Sequence, residues 1–171
     1  SLNLAKNYAN GELILVEGYM DVISLYQNGI KNAVASLGTA LTTEQARLAS
    51  RFASTVIVCY DTDEAGIKAT QRTIDIFKGL EVKLKILPLP EGKDPDEYIK
   101  KNGSQRFKET LKNAYSVAGY RIMLLKNKYN INDINEKVEY VSECAKILSE
   151  IDNSIERDVY ITKISEETGI A

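Results

Sequence analysis

The stretch Val56–Gly66, with the sequence VIVCYDTDEAG, decides the fold of this chain. A run of apolar and β-prone residues, Val56–Tyr60, is followed at once by Asp61 and a short polar segment. This pattern predicts a buried parallel strand that ends in a loop and leads into a helix. Because ligands bind just beyond the carboxyl ends of strands in open α/β sheets, we expect functional residues in this loop.

Two acidic residues in the loop indicate a metal site. Asp61 and Asp63 are two positions apart, so an extended backbone directs both side chains to the same face. Two carboxylates held together repel each other unless a proton or a cation offsets their charge. The chain has no histidine, so the expected ion is one that prefers oxygen ligands, Mg²⁺ or Mn²⁺.

The composition excludes several classes of protein. The chain has 171 residues, of which 44% are hydrophobic, and this is enough for one domain, or one domain with a small appendage. No apolar run approaches the ~20 residues of a membrane span, so we expect no membrane contact. Cys59 and Cys144 are expected to be reduced, buried residues of a cytosolic protein. Two cysteines without a histidine exclude a structural zinc site, and the hydrolase triads lack their usual base.

The pattern along the chain predicts two structural domains. Residues 1–11 are polar and predict an edge or linker. From residue 12 to 114, strand-like runs such as Leu13–Val16 alternate with helical patterns, the last of them a short helix over Asp94–Gly103. This alternation predicts an α/β domain with a mostly parallel sheet flanked by helices. Residues 115–171 show helical periodicity and no strand pattern, and they predict a small all-α bundle of about three helices.

The helical periodicity also predicts which faces are buried. In the helix that begins at Tyr19, Met20, Ile23 and Tyr26 are spaced to form one apolar side. In the tail, the apolar residues expected to form the bundle core are Ile122, Leu125, Tyr129, Val138, Val141, Ala145, Leu148, Ile155, Val159 and Ile164.

Acidic residues follow two of the predicted strands. Glu17 follows the first strand, whereas Asp61 and Asp63 follow the third, so all three meet at one edge if the strands are neighbours. Each acid also has a purely structural interpretation. Glu17 fits a solvated loop, Asp63 and Asp94 fit helix N-caps, and Asp21 fits a first-turn acid favoured by the helix dipole.

The motifs that the sequence lacks reduce the number of reactions it is expected to catalyse. The chain contains neither the G-x-x-x-x-G-K-[ST] loop of P-loop ATPases nor the G-x-G-x-x-G fingerprint of dinucleotide binding. Carboxylates with divalent ions at a strand edge suit phosphoryl transfer instead. The lysines and arginines around the acids suit a polyanionic substrate, although an ordinary solvated surface explains them equally well.

Four motifs occur in the order found in one known family: EGYMD at Glu17–Asp21, ASLGT at Ala35–Thr39, YDTD with EAG at Tyr60–Gly66, and KDPD at Lys93–Asp96. Over residues 12–113 the chain resembles the catalytic core of bacterial DnaG-type DNA primases, which has the TOPRIM fold. Topoisomerases and some nucleases share this fold. A fainter resemblance to the end of the primase polymerase region continues through the tail, from Ile155–Asp158 to Thr168–Ile170.

The resemblance implies a nucleotidyltransferase, a DNA-directed RNA polymerase that makes short RNA primers on single-stranded DNA from ribonucleoside triphosphates. It implies a bacterial, cytoplasmic protein that acts at the replication fork with two or more Mg²⁺ or Mn²⁺ ions. The implied catalytic residues are Glu17, Asp61 and Asp63, and the implied metal ligands are Glu17, Asp21, Asp61, Asp63, Asp94 and Asp96. The implied substrate-adjacent loop residues are Gly18, Gly38 and Thr39.

The resemblance also implies that this chain is a fragment. We expect the family's zinc-binding module, its DNA-tracking subdomain and its helicase-interaction domain to lie outside the chain, with the replicative helicase bound through that absent domain. The piece alone should therefore make little or no primer. Two alternatives stay open at this point: a TOPRIM nuclease or topoisomerase segment, and a non-catalytic α/β binding module whose acids serve only as caps.

Overall fold

The computed structural model describes residues 2–36, 40–90 and 94–170. Its contacts divide the chain into two compact units, residues 1–114 and residues 115–171. None of the described helices is long and apolar enough to span a bilayer.

The first unit alternates strands and helices. Its strands are β1 (Gly11–Val16), β2 (Ala33–Ala35), β3 (Ala53–Val58) and β4 (Lys83–Ile86). Its helices are α1 (Leu2–Ala5), a 3₁₀ turn (Lys6–Tyr8), α2 (Tyr19–Gln27), α3 (Thr43–Phe52), α4 (Glu64–Phe77) and α5 (Pro95–Leu111). This order confirms the α/β fold class.

The strands lie in the order β2-β1-β3-β4, and all of their pairings are parallel. Ile14 of β1 pairs with Ile57 of β3, and both side chains are buried in the main core of the unit. Because β1 and β3 are adjacent and parallel, their carboxyl ends meet at one edge. The loops that carry Glu17 and Asp61 therefore begin side by side.

Local capping signals explain where the helices begin. Thr42 caps α3, with its hydroxyl accepting from the Gln45 N–H at 3.2 Å while the Gln45 side chain accepts from the Thr42 N–H at 3.0 Å. This reciprocal pair satisfies two backbone donors that the first helical turn leaves free.

Two boundaries differ from the sequence-based prediction. Residues 2–8, expected to belong to an edge or linker, are helical, and Ala5 and Ala9 are buried. The helix that starts at Pro95 continues to Leu111 across a kink at Gly103, where φ is +79°. Glycine tolerates this conformation and so lets two helical segments follow one another without a loop.

The predicted apolar face of α2 is wrong. Met20, Ile23 and Tyr26 are all exposed, whereas Asp21 is buried with only 7% of its surface accessible. Asp21 is buried because its carboxylate accepts backbone hydrogen bonds from Gly18 and from Asp96, as described below. The buried side of α2 therefore combines the apolar Leu25 with the hydrogen-bonded Asp21.

The second unit is helical apart from a two-residue strand, β5 (Tyr115–Ser116), which the sequence pattern did not predict. Its helices are α6 (Val117–Lys128), α7 (Ile134–Ser149) and α8 (Ser154–Thr168), the three that were expected. The buried core consists of Ile122, Tyr140, Cys144 and Ile164.

The predicted faces of α7 and α8 are partly wrong. Tyr140 and Cys144 occupy the core of the second unit, while Val138, Ile155 and Val159 are exposed. The apolar residues of α7 cover about half of the helix and those of α8 are spread around it, so periodicity alone does not identify the buried side. As expected, the two cysteines, Cys59 and Cys144, are free and buried.

Candidate functional site

The acids that follow β1 and β3 are in contact. The Glu17 carboxylate accepts a hydrogen bond from the Asp61 backbone N–H at 3.2 Å, across 44 residues of sequence. This contact follows from the parallel pairing of the two strands, which bring their carboxyl ends together.

Asp21 joins the ends of two further segments. One of its oxygens accepts from the Gly18 N–H at 3.1 Å, and the other accepts from the Asp96 N–H at 3.4 Å. Asp21 thus links the loop after β1 to the first turn of α5, 75 positions further along the chain.

The capping interpretations of Asp63 and Asp94 are both correct. Asp63 accepts from the Gly66 N–H at 2.8 Å at the start of α4, and Asp94 accepts from the Glu97 N–H at 2.7 Å at the start of α5. Each cap uses a single carboxylate oxygen, Oδ1 in both residues. Since a carboxylate has two oxygens, capping and ion binding are compatible at these residues.

Asp96 has a different environment from the other acids. Its carboxylate is 2.6 Å from the Lys100 ammonium one turn later, and the hydrogen bond from Lys100 lowers the pKa of Asp96. Its negative charge is therefore already offset.

The electrostatics of the remaining acids indicate mutual repulsion. Burial is the largest cause of a raised pKa at Asp61, the carboxylates of Glu17, Asp21, Asp94 and Asp63 add to it, and together they bring this pKa to about 7. Burial likewise raises the pKa of Glu17, against the lowering effect of the Asp61 N–H, and Asp63 and Asp21 add to the increase. Five acids from three segments thus influence one another at this edge.

The donor chemistry of this edge fits a hard divalent cation. Within the described residues, neither Glu17, Asp21 nor Asp61 forms an ion pair with a lysine or arginine. Carboxylate oxygens are the ligands preferred by Mg²⁺ and Mn²⁺. Over the same part of the chain, no group of three or more acidic or cysteine side chains is arranged to hold an ion as the side chains are oriented here. An ion would therefore have to reorient some of these carboxylates.

Gly66 is a position where the structure requires glycine, although the sequence analysis quoted it only as part of the EAG motif. A Cβ placed on Gly66 would overlap the carbonyl oxygen of Asp61 and lie 2.7 Å from its carbonyl carbon. Only glycine lets α4 start this close to the Asp61 backbone, and the signal was the glycine three residues after Asp63. Gly18, predicted to lie beside the substrate, donates to Asp21, whereas Gly38 and Thr39 lie outside the described residues.

A family model described as Toprim-like matches residues 14–99, which contain all six of the predicted acids. The chain belongs to the Toprim-like family. The TOPRIM fold expected from the motifs is therefore confirmed for the first unit.

Relatives of this Toprim-like chain identify the branch of the family. It is 48% identical to a DNA primase of Clostridium acetobutylicum over 170 residues, which are 99% of this chain and 28% of that protein. A DNA primase domain from Pseudomonas aeruginosa superposes with a TM-score of 0.71 at 34% identity, over 99% of this chain and 55% of that one.

The polymerase domain of a mycobacterial primase superposes even better. The RNA polymerase domain of Mycobacterium tuberculosis primase DnaG, in complex with a double-stranded DNA oligomer with a 6-nucleotide overhang, gives a TM-score of 0.80 at 25% identity. The superposition covers 99% of the Toprim-like chain and 56% of the mycobacterial one. The resemblance to DnaG-type primases is confirmed, and the chain spans about a quarter of the length of the curated relative described above.

The second unit brings a correction. A family model described as the DnaB-helicase binding domain of primase matches residues 119–171. The expectation that helicase contact belongs to a domain outside this chain is therefore wrong as stated. That expectation rested on the length of the chain, whereas the assignment of the tail to the polymerase region rested on its motifs and agrees with the superposition of an RNA polymerase domain over 99% of this chain.

Proposed function

We propose that this chain is the metal-binding catalytic segment of a DNA primase, an enzyme that joins ribonucleotides into short primers on a single-stranded DNA template. The observation that carries the proposal is the convergence of Glu17, Asp21 and Asp61 at one sheet edge, inside the segment that matches the Toprim-like family. The DNA bound to the mycobacterial relative supports a DNA template. Such an enzyme acts in the cytoplasm, at the replication fork.

We assign the roles of the acids as follows. Glu17, Asp61 and Asp63 hold the catalytic ions together with Asp21 and Asp94, whereas Asp96, paired with Lys100, fixes the start of α5. When bound, two Mg²⁺ or Mn²⁺ ions activate an attacking hydroxyl and stabilise the leaving pyrophosphate. Glu17, with its raised pKa, is also placed to take up a proton on its carboxylate.

Primer synthesis tests this proposal. We expect the full-length protein to make RNA primers on single-stranded DNA with Mn²⁺ or Mg²⁺, and Glu17→Gln to abolish this activity. The 171-residue chain alone should bind Mn²⁺ but make little or no primer, because it spans 28% of the DNA primase of Clostridium acetobutylicum and single-stranded DNA must be held electrostatically during synthesis. Relaxation of supercoiled DNA or nicking without primer synthesis would instead support the topoisomerase or nuclease alternative.

A helicase is the second partner that we propose, bound by the helical unit. The family match at residues 119–171 carries this proposal, and exposed apolar side chains give it a surface. Ile134 and Val138 stand one turn apart on α7 and are 77% and 56% exposed. Exposed aliphatic side chains at helical spacing are typical of faces that bind a partner.

Substitution of this face tests the helicase contact. We expect the double variant Ile134→Asp with Val138→Asp to weaken binding to the replicative helicase by about 10-fold or more, because each side chain would bury an apolar surface in the complex. Thermal unfolding should stay unchanged, since both side chains are already exposed. A double variant of exposed polar residues on the same helix, Asn135→Asp with Ser142→Asp, serves as the control. If surface plasmon resonance gave the same helicase affinity for both double variants, this face would not be the helicase-binding surface.

A further inference from the structure

A second feature of the acidic edge is a cavity of about 610 Å³ that opens beside Glu17. Its lining also includes Ala69, Arg72, Thr73 and Ile76 of α4. These residues follow the three- and four-residue spacing that places side chains on one side of a helix.

Unlike Lys68 and Lys100, Arg72 has no carboxylate partner among the residues that the structure describes. Lys68 is 2.7 Å from Glu64, and Lys100 is 2.6 Å from Asp96. Within the described part of the chain, Arg72 forms no such ion pair. Asp75, the other acid on the cavity wall besides Glu17, accepts from the Gln71 side chain at 3.2 Å instead.

Two buried hydroxyls complete the polar part of the cavity. The Thr73 and Tyr60 hydroxyls are 3.2 Å apart and both residues line the cavity. Burial raises the pKa of Tyr60 to about 12, so its hydroxyl stays protonated and can donate. The cavity therefore combines a fixed positive charge with neutral hydroxyl groups, next to an edge that is otherwise acidic.

We propose that Arg72 binds the phosphate groups of the incoming ribonucleoside triphosphate in this cavity. The inference rests on the proposed polymerase function and adds a residue that positions its substrate. The planar guanidinium donates two parallel hydrogen bonds to phosphate oxygens, which an ammonium group does not reproduce. A fixed cation is needed here because the neighbouring carboxylates repel a triphosphate. Arg72 attracts the phosphates at a point just outside the acid cluster.

Binding and kinetics test the assignment together. In the 171-residue chain, Arg72→Ala should weaken binding of Mn²⁺-ATP by about 10- to 100-fold, the range of a lost charge-assisted hydrogen bond. Arg72→Lys should restore only part of the affinity, because it keeps the charge and loses the paired geometry. Inorganic tripolyphosphate should compete with ATP for the wild-type chain and much less for Arg72→Ala.

The matched control is Arg47→Ala, since Arg47 is also an exposed arginine within a helix but lies outside this cavity. In the full-length protein, Arg72→Ala should raise the KM for ribonucleoside triphosphates by about 10-fold or more and change kcat much less, because the contact forms on binding. Arg47→Ala should leave both values unchanged.

The outcomes separate this inference from the function on which it rests. If the wild-type full-length protein makes primer and Asp61→Asn does not, while Arg72→Ala keeps wild-type affinity and KM, only the role of Arg72 is overturned. If the wild-type protein makes no primer, the polymerase function itself is overturned. Weaker binding of Mn²⁺-ATP by Arg72→Ala, with an unfolding curve like that of the wild type, supports the proposed contact.

Discussion

The variant Asp61→Asn is expected to lose primer synthesis in the full-length protein by more than about 100-fold, because even residues that only orient a metal ligand contribute 10- to 100-fold. The same change should abolish Mn²⁺ binding by the 171-residue chain, measured by calorimetry. Four neighbouring carboxylates repel the charge of Asp61, more than for the other acids of this edge. A cation at this edge should therefore bind the Asp61 carboxylate most favourably.

This loss should not come from unfolding. Asn keeps the shape of Asp and removes a charge that Glu17, Asp21, Asp94 and Asp63 all repel. Stability should therefore be equal or higher in the metal-free variant. Asp152→Asn, an exposed acid in the loop between α7 and α8, serves as the control. Unchanged Mn²⁺ affinity in Asp61→Asn would support the non-catalytic interpretation, in which these acids only cap helices.

The pH dependence of stability gives a second test of Asp61, through the protonation of its carboxylate. The pKa of Asp61 is raised from 3.8 to about 7 on folding, so between these values the folded state binds more protons than the unfolded state. The free energy of unfolding should therefore fall as the pH rises from about 4 to 7. In Asp61→Asn this slope should become shallower. In the wild type, Mn²⁺ should raise stability most at the upper end of the range, where the ionised carboxylate is available.

The second large effect is expected for Gly66→Ala. The added methyl group would overlap the backbone of Asp61, and overpacking in a close contact costs about 1–3 kcal/mol or more. Either α4 or the Asp61 loop must move, so we expect both a lower free energy of unfolding and weaker Mn²⁺ binding. Chemical denaturation and calorimetry on the same samples measure the two effects.

Gly79→Ala separates this overlap from the general cost of replacing a glycine. Gly79 has a φ of +84° and open space where a Cβ would stand, so its replacement adds backbone strain of about 1–2 kcal/mol without a clash. Gly79→Ala should leave Mn²⁺ binding intact because it follows the far end of α4. If both variants lost the same stability and kept the same Mn²⁺ affinity, the contact of Gly66 with Asp61 would not matter for the site.

The sheet and the place of the acids could be predicted because they depend on local patterns. The apolar run before Asp61 predicts a buried strand, and the same pattern before Glu17 predicts a second. The rule that parallel strands share an edge then brings the two loops together. The caps at Asp63 and Asp94 could also be predicted, since Asp at the start of a helix is a common N-cap.

The orientation of the helices could not be predicted in the same way. Met20, Ile23 and Tyr26 point outwards because the opposite side of α2 is the buried one: Leu25 lies there in the core, and Asp21 accepts hydrogen bonds from the Gly18 and Asp96 N–H groups. That requirement is set by tertiary structure and leaves no mark in the periodicity. Likewise, the overlap at Gly66 and the unpaired Arg72 depend on how α4 lies against the Asp61 loop, which no local pattern records.

The hydrogen bond from the Asp61 backbone to Glu17 has a consequence for the polypeptide while it is being synthesised. The two residues are separated by 44 positions, and β3 must add to β1 before they meet. A nascent polypeptide that has emerged only as far as α3 thus carries one half of the centre. Under the function proposed above, catalysis therefore requires that β3 has already added to β1.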